Sequence, residues 1–117
     1  IRTLFNLAMD SPAVCPVMPI TETVKCLRAD GDAFVSIEGM AADPSILFGA
    51  QAPQVFQSEA IIRAYDAQPF NPSFTDDASV AEGMKIPVRY VPGGKFNIKI
   101  TTPEDLVLAE ALIDSCN

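Results

Sequence analysis

None of the 117 residues is histidine. That absence removes the commonest general base, the commonest metal ligand and every Ser-His or Cys-His catalytic pair. Chemistry must therefore come from Lys, Arg, Asp, Glu, hydroxyls or backbone amides. Lys99 stands in the run Asn97-Ile98-Lys99-Ile100-Thr101, and a lysine on a short strand just before a capped helix can project toward a ligand at the carboxyl edge of a sheet. Its plain alternative is a solvent-facing strand lysine. Thr23 offers a hydroxyl and neighbouring amides suited to a phosphate, or serves as a turn residue after Pro19. Lys25 could assist it but reads as strand surface. Thr75, Asp76, Asp77 and Ser79 gather the hard oxygen donors that cations favour. Yet Thr75 followed by two aspartates is also how a short helix begins, and this structural reading is preferred, with no metal site assigned. The cysteines, Cys15, Cys26 and Cys116, are three in number and far apart, so they read as free thiols.

The elements that must position these groups are short, because ten prolines punctuate the chain. Residues 13–17 form a compact apolar run between Pro12 and Pro19, as a buried strand of a parallel sheet would. Residues 24–27 and 34–37 are strand candidates separated by a spacer, residues 28–32, that contains Asp-Gly, a hairpin signal. Residues 58–67 carry Ile61, Ile62 and Tyr65 at helical spacing after a Ser58 cap. Residues 87–91 form another strand candidate, closed by Pro92-Gly93-Gly94, and residues 96–100 alternate weakly. The clearest local signal is Thr101-Thr102-Pro103-Glu104-Asp105-Leu106. Thr102 can cap a helix whose first position is Pro103, with acid in its first turn. Leu106, Ala109, Leu112 and Ile113 then make an apolar face for docking on a sheet. Alternating strands and helices give an α/β fold, with an irregular arm over residues 24–50. Gln51 and Gln54, flanking Pro53, are expected to fix the end of that arm through backbone hydrogen bonds. The arm's Leu27, Phe34, Val35, Ile37, Ile46, Leu47 and Phe48 are too apolar to stand alone in water, which predicts a symmetric homodimer through it.

A 49% apolar content can fill one core, and a net charge of -7 with only eight Lys and Arg argues against a nucleic-acid polymer as partner. A small phosphorylated ligand is still compatible if a few cations converge. No apolar run approaches the roughly 18 residues that span a bilayer, and no secretion signal is visible. A cytoplasmic protein without a membrane partner is the expectation. Residues 1–9 read as the middle or end of an amphipathic helix, so the chain is expected to begin within a longer protein.

Four segments taken together, Pro16 to Lys25, Gln51-Ala52-Pro53-Gln54-Val55-Phe56, Thr75-Asp76-Asp77-Ala78-Ser79 and Asn97 to Leu106 with Leu108-Ala109-Glu110, resemble the methylerythritol phosphate cytidylyltransferase family. The resemblance implies that residues 1–117 are the C-terminal half of a Rossmann-like nucleotidyltransferase domain, the missing half holding a glycine-rich loop. It implies transfer of CMP from CTP to a polyol phosphate such as 2-C-methyl-D-erythritol 4-phosphate, with release of pyrophosphate, in isoprenoid precursor synthesis. Such a reaction gathers negative charge and needs cations and donors more than a strong base. Lys99 matches the family's active-site lysine, and Thr23 the threonine that binds the polyol phosphate of the partner subunit's substrate, with Lys25 beside it. Asp76 and Asp77 fall at a helix start near the nucleotide. Magnesium is the implied cofactor, its ligands mainly in the absent half. The chain alone is expected neither to bind CTP tightly nor to turn over, for want of a glycine-rich loop ahead of a helix.

This sequence also departs from the family pattern. Between Arg28 and Arg63 there is no Lys or Arg, so the arm arginine that clamps the substrate phosphate is absent, and a neutral or acidic segment cannot replace a bidentate guanidinium. The motif threonine is Ala52. A related polyol phosphate therefore stays open as acceptor, and so does a non-catalytic dimerising or regulatory paralogue that retains the fold.

Overall fold

The computed structural model describes residues 1–69 and 71–116, without the Cys116 side chain. Strand β1, Ala13–Pro19, is the axis of the fold. Ala13, Val14 and Cys15 are fully buried, as the uninterrupted apolar run predicts for a strand covered on both faces. The sheet expected to be parallel is a mixed one. Strand β6, Val88–Pro92, pairs with β1 in parallel, Ala13 opposite Val88 and Val17 opposite Pro92. Two short antiparallel strands also pair with β1: β4, Phe48–Ala50, opposite Val17 to Pro19, and β5, Val55–Phe56, opposite Ala13 and Val14. Between them the chain turns through Gln51 to Gln54, where the Ala52–Pro53 peptide is cis.

Two small cores flank the sheet. Helix α1, Arg2–Leu7, sets Leu4 and Ala8 against Val14. Helices α2, Ser58–Asp66, and α3, Asp77–Gly83, meet through Ala60, Ala64, Val80 and Ala81, with Ile86 beside them. The apolar face expected of α2 is thereby corrected: alanines make the contact, and Ile62 and Tyr65 are exposed, because two helices approach closely only over small side chains. The cap also moves by one residue. Gln57, not Ser58, is the N-cap, and no side chain caps the helix; the Gln57 amide instead donates to the Ala8 carbonyl at 3.0 Å, tying α2 to α1.

The end of α3 is closed by a paired motif in which the Ile86 N–H donates to the Ala81 carbonyl and the Lys85 N–H to that of Glu82. This closure needs a left-handed residue, and Lys85 supplies it with φ of 58°, where a Cβ is penalised and glycine is preferred. Lys85→Gly is expected to stabilise the protein by about 1 kcal/mol, read as a raised urea midpoint at unchanged slope. A lowered midpoint would show that the lysine does more than close the helix.

The hairpin forms a separate two-stranded sheet, β2, Leu27–Asp30, with β3, Ala33–Ser36. Its turn is shorter than the expected five-residue spacer: only Gly31 and Asp32 lie between the paired strands, with Gly31 at φ of 60° as a two-residue hairpin turn requires. Leu27 and Phe34 are exposed. Helix α4, Pro103–Cys116, starts as its sequence predicts. The Asp105 N–H donates to Thr102 Oγ1 at 3.3 Å, and Asp105 Oδ2 accepts from the N–H groups of Thr101 and Thr102, each at 3.0 Å. The expectation that α4 docks on the sheet is not met among the described residues. Leu106, Val107, Leu108 and Ile113 are all more than half exposed, on several sides of a helix that belongs to neither core. So many exposed apolar side chains on one helix require cover.

The dimensions agree. The radius of gyration is 17.3 Å, against about 13 Å for a compact domain of this length. The accessible surface is 8977 Å², against about 6,200 Å² for a closed monomer of this mass. No helix among the described residues is long and apolar enough to cross a membrane.

Candidate functional site

Three loops converge beside the middle of β1 and the carboxyl end of β6. The turn at residues 51–54 is joined to the loop after β6 by Gln51, whose Nε2 donates to the Gly94 carbonyl at 2.9 Å while its Oε1 accepts from the Gly94 N–H at 3.1 Å. Asn97 completes this joint, its Nδ2 donating to the Ala52 carbonyl at 2.6 Å and to Gln51 Oε1 at 3.3 Å. The same turn is joined to α3 by Gln54, which donates to Asp76 Oδ2 at 2.9 Å and accepts from the Ala78 N–H at 3.0 Å. Both glutamines thus act through hydrogen bonds, as their place beside Pro53 predicts, although Gln54 uses a carboxylate as well as a backbone group.

The joints enclose a cleft of about 620 Å³ lined by Gln51, Gln54, Thr75, Asp76, Asp77, Asn97 and Lys99, among others. Lys99 and the pair Asp76 and Asp77, chosen from two separate motifs, therefore share one cavity. Thr23 and Lys25 do not line it; both are exposed in the segment before β2. Residues 96–100 form no strand, so the expected strand position of Lys99 is corrected to a loop leading into the α4 cap. The alternation at Phe96, Ile98 and Ile100 suggests a strand, but these residues lie past the ladder that β6 makes with β1, which ends at Pro92. Asn97 is the residue that sequence reasoning passes over. Its only signal is an amide side chain two residues before the lysine, next to a Gly-Gly turn.

Asp76 is the N-cap of α3. Its Oδ1 accepts from the Ser79 N–H at 2.8 Å, and the Ser79 hydroxyl accepts from the Asp76 N–H at 3.2 Å, a reciprocal capping box. Partial burial pushes the Asp76 carboxyl up, but the hydrogen bonds from Gln54 and Ser79 together outweigh it and hold its pKa below the ordinary value. Asp77 accepts from the Tyr65 hydroxyl, an arrangement that pushes the Tyr65 phenol up. These commitments bear on magnesium. Both Asp76 oxygens are engaged within the fold, and no group of three metal-ligating side chains occurs among the described residues, so these carboxylates do not fit a cage for the cation. With one ammonium and two carboxylates, the cleft is also net negative by itself. A nucleotide triphosphate would need further cations from outside it.

Two nearby groups are unsuited to chemistry. Cys15 is buried beneath the site, and burial, reinforced by the negative charge of Asp76, pushes its thiol up and away from the reactive thiolate. Burial and a hydrogen bond to Glu82 likewise push the Tyr90 phenol up. A larger cleft of about 720 Å³, lined by Val17, Met18, Phe48, Tyr90 and Val91 among others, carries no titratable group but that phenol. It is an apolar face and not a reaction centre.

Comparison with known proteins gives a consistent result. The family profile of 2-C-methyl-D-erythritol 4-phosphate cytidylyltransferase matches residues 1–115. A protein of that description from Bacteroides fragilis is 44% identical over 113 residues, covering 97% of this chain and 48% of its own length. The crystal structure of such an enzyme from Thermus thermophilus superposes with a TM-score of 0.71 at 30% identity, over 93% of this chain and 52% of that one. A 4-diphosphocytidyl-2C-methyl-D-erythritol synthase from Anaerococcus prevotii gives 0.75 at 28% identity, over 97% and 49%. The chain thus spans about half the length of the relatives it matches. That share, and a matched range counted in this chain's own residues, do not say which half of the relatives it corresponds to.

Proposed function

The chain belongs to the 2-C-methyl-D-erythritol 4-phosphate cytidylyltransferase family, and on that premise we propose that it forms one wall of a site that transfers CMP from CTP to a polyol phosphate. A phosphate oxygen of the acceptor forms a bond to the α-phosphorus of CTP, and the bond to the departing pyrophosphate breaks. The observation that carries this reading is the cleft that joins Lys99 to the amide-bearing loops at residues 51–54 and 94–97. Its ammonium offers charge stabilisation where negative charge accumulates, and the reaction asks for no strong base. Asp76 and Asp77 shape the nucleotide side of the cleft. Magnesium, which the family resemblance implies, finds no cage in them and is expected to rely on substrate phosphates and other residues.

Activity requires more than this chain. The net-negative cleft, the uncovered α4 and the excess surface all support a body that closes over the site. Part of it is a second copy. Residues 24–50 form the dimerisation arm, supported by the exposed Leu27, Phe34, Ile46 and Phe48, and Thr23 with Lys25 at its base meets the polyol phosphate of the partner subunit's substrate.

The test is release of pyrophosphate from CTP by the intact enzyme, followed with 2-C-methyl-D-erythritol 4-phosphate and with other polyol phosphates as acceptors. Release with one of them, from a protein that sediments as a dimer, is the expected result, while residues 1–117 alone neither release pyrophosphate nor bind CTP at micromolar concentration. A dimer that releases none with any acceptor would favour the regulatory paralogue, which the missing arm arginine permits. A monomer at micromolar concentration would remove the arm.

A further inference from the structure

Lys99 has no regular structure around it. Residues 97–101 lie between β6 and α4 in neither strand nor helix, so the position of its ammonium depends on whatever holds the loop at each side. On the far side, Thr101 is held by the α4 cap: its N–H and its hydroxyl both donate to Asp105 Oδ2 at 3.0 Å. On the near side the hold is Asn97. We propose that Asn97 is a positioning residue for the transfer reaction, fixing Lys99 in the cleft through its hydrogen bonds to Ala52 and Gln51; this rests on the role for Lys99 given above.

The hold on the loop starts in the core. β1 is the most buried strand, and its Pro16 carbonyl accepts from the Gln51 N–H at 2.8 Å. Gln51 is therefore fixed at its backbone by the sheet and spends its side chain on the next loop, bonding Gly94 in both directions. A second tie seats that loop, the Gly93 N–H donating to the Val17 carbonyl at 2.8 Å. Space there is already filled, because a Cβ on Gly93 would meet the Gln51 side chain and lie 3.3 Å from the Val17 carbonyl. Asn97 then closes the unit: its N–H donates to the Gly94 carbonyl at 3.2 Å, and its Nδ2 reaches Ala52 and Gln51. Two residues of chain, at most about 7 Å, separate this anchor from Lys99. The path from β1 to the lysine thus runs through groups held by hydrogen bonds up to Asn97 and only then through free loop.

Asn97 itself lines the cleft, so a direct contact with substrate is the competing role, and a double-mutant cycle separates the two. In the intact enzyme, Asn97→Ala is expected to lower kcat about ten- to a hundredfold, as misplacement of a catalytic group by an ångström does, with KM changed by less than about threefold because ground-state binding is not what is lost. In a Lys99→Ala background the same change should cost nothing further, since there is no ammonium left to position. Gln51→Ala is the second variant, expected to reproduce the kcat loss from the other side of the joint, and thermal melts on each variant identify any that fails to fold. Equal fold-losses from Asn97→Ala with and without Lys99 would overturn the proposal, as would a parental kcat in both folded variants. Lys99→Ala turning over at the parental rate is a different failure, seen in a different variant, and would sink the underlying reading along with this one.

Discussion

Lys99→Ala in the intact enzyme is expected to turn over about a hundredfold more slowly or worse, with its melting temperature unchanged. The rate loss follows from removing a preorganised charge that acts where negative charge gathers during displacement at phosphorus. The constant stability follows from placement: Lys99 is exposed and lies in a loop, so its aliphatic stem covers little core. These two readouts discriminate between roles. A surface lysine would change neither, and a lysine held in a structural ion pair would lower melting and rate together. Lys99→Arg should recover part of the rate only, because a planar fork and a point charge on a flexible stem are not equivalent at a crowded phosphate. Turnover by Lys99→Ala within a few-fold of the parent would take the chemistry out of this cleft.

Local signals in this chain are legible where one residue type has one physical use. Pro103 after Thr102, with Glu104 and Asp105 behind it, can only begin a helix, and α4 starts there. Thr75-Asp76-Asp77 reads as a helix start and is one, down to the capping box. Asp-Gly marks the hairpin, although strand pairing runs through the spacer right up to the two-residue turn, because Arg28 and Ala29 pair across the ladder as well as any apolar residue on an exposed arm. The errors lie where the outcome depends on distant partners. Nothing local tells that β1 takes antiparallel neighbours on one side, since the partners β4 and β5 begin only at Phe48 and Val55. Ile62 and Leu106 carry the right periodicity for a buried face and are exposed, because periodicity reports a need for cover and not which body supplies it. The same holds for the site. Lys99 and Asp76 are separately visible as residue types, but their shared cleft is made by Gln51, Gln54 and Asn97, whose amides bond across more than twenty residues of sequence.

Asp76→Ala tests whether that carboxylate belongs to the fold or to the chemistry. The structure gives it two hydrogen bonds, from the Ser79 N–H and from the Gln54 amide, and truncation removes the N-cap of α3 and leaves the Gln54 amide without its partner. Loss of a cap costs about 1–2 kcal/mol and loss of the Gln54 bond about 1 kcal/mol, so a total near 2–3 kcal/mol is expected from urea unfolding, a large part of a domain's margin. Asp76→Asn separates charge from geometry. Asparagine caps as well as aspartate, so most of the stability should return, and if Asp76 only shapes the cleft the rate should return with it. The pH dependence gives a further check. Burial raises the Asp76 pKa, but the bonds from Gln54 and Ser79 leave it below its ordinary 3.8. A group with a depressed folded pKa contributes stability that is present above its unfolded value, about 3.9, and is lost as the pH falls through the folded one. The parent should therefore weaken more steeply than Asp76→Asn as the pH is taken below about 4. An Asp76→Asn variant that keeps its stability and loses its turnover would move this residue from the frame of the cleft to the reaction, because what it then lacks is only the charge.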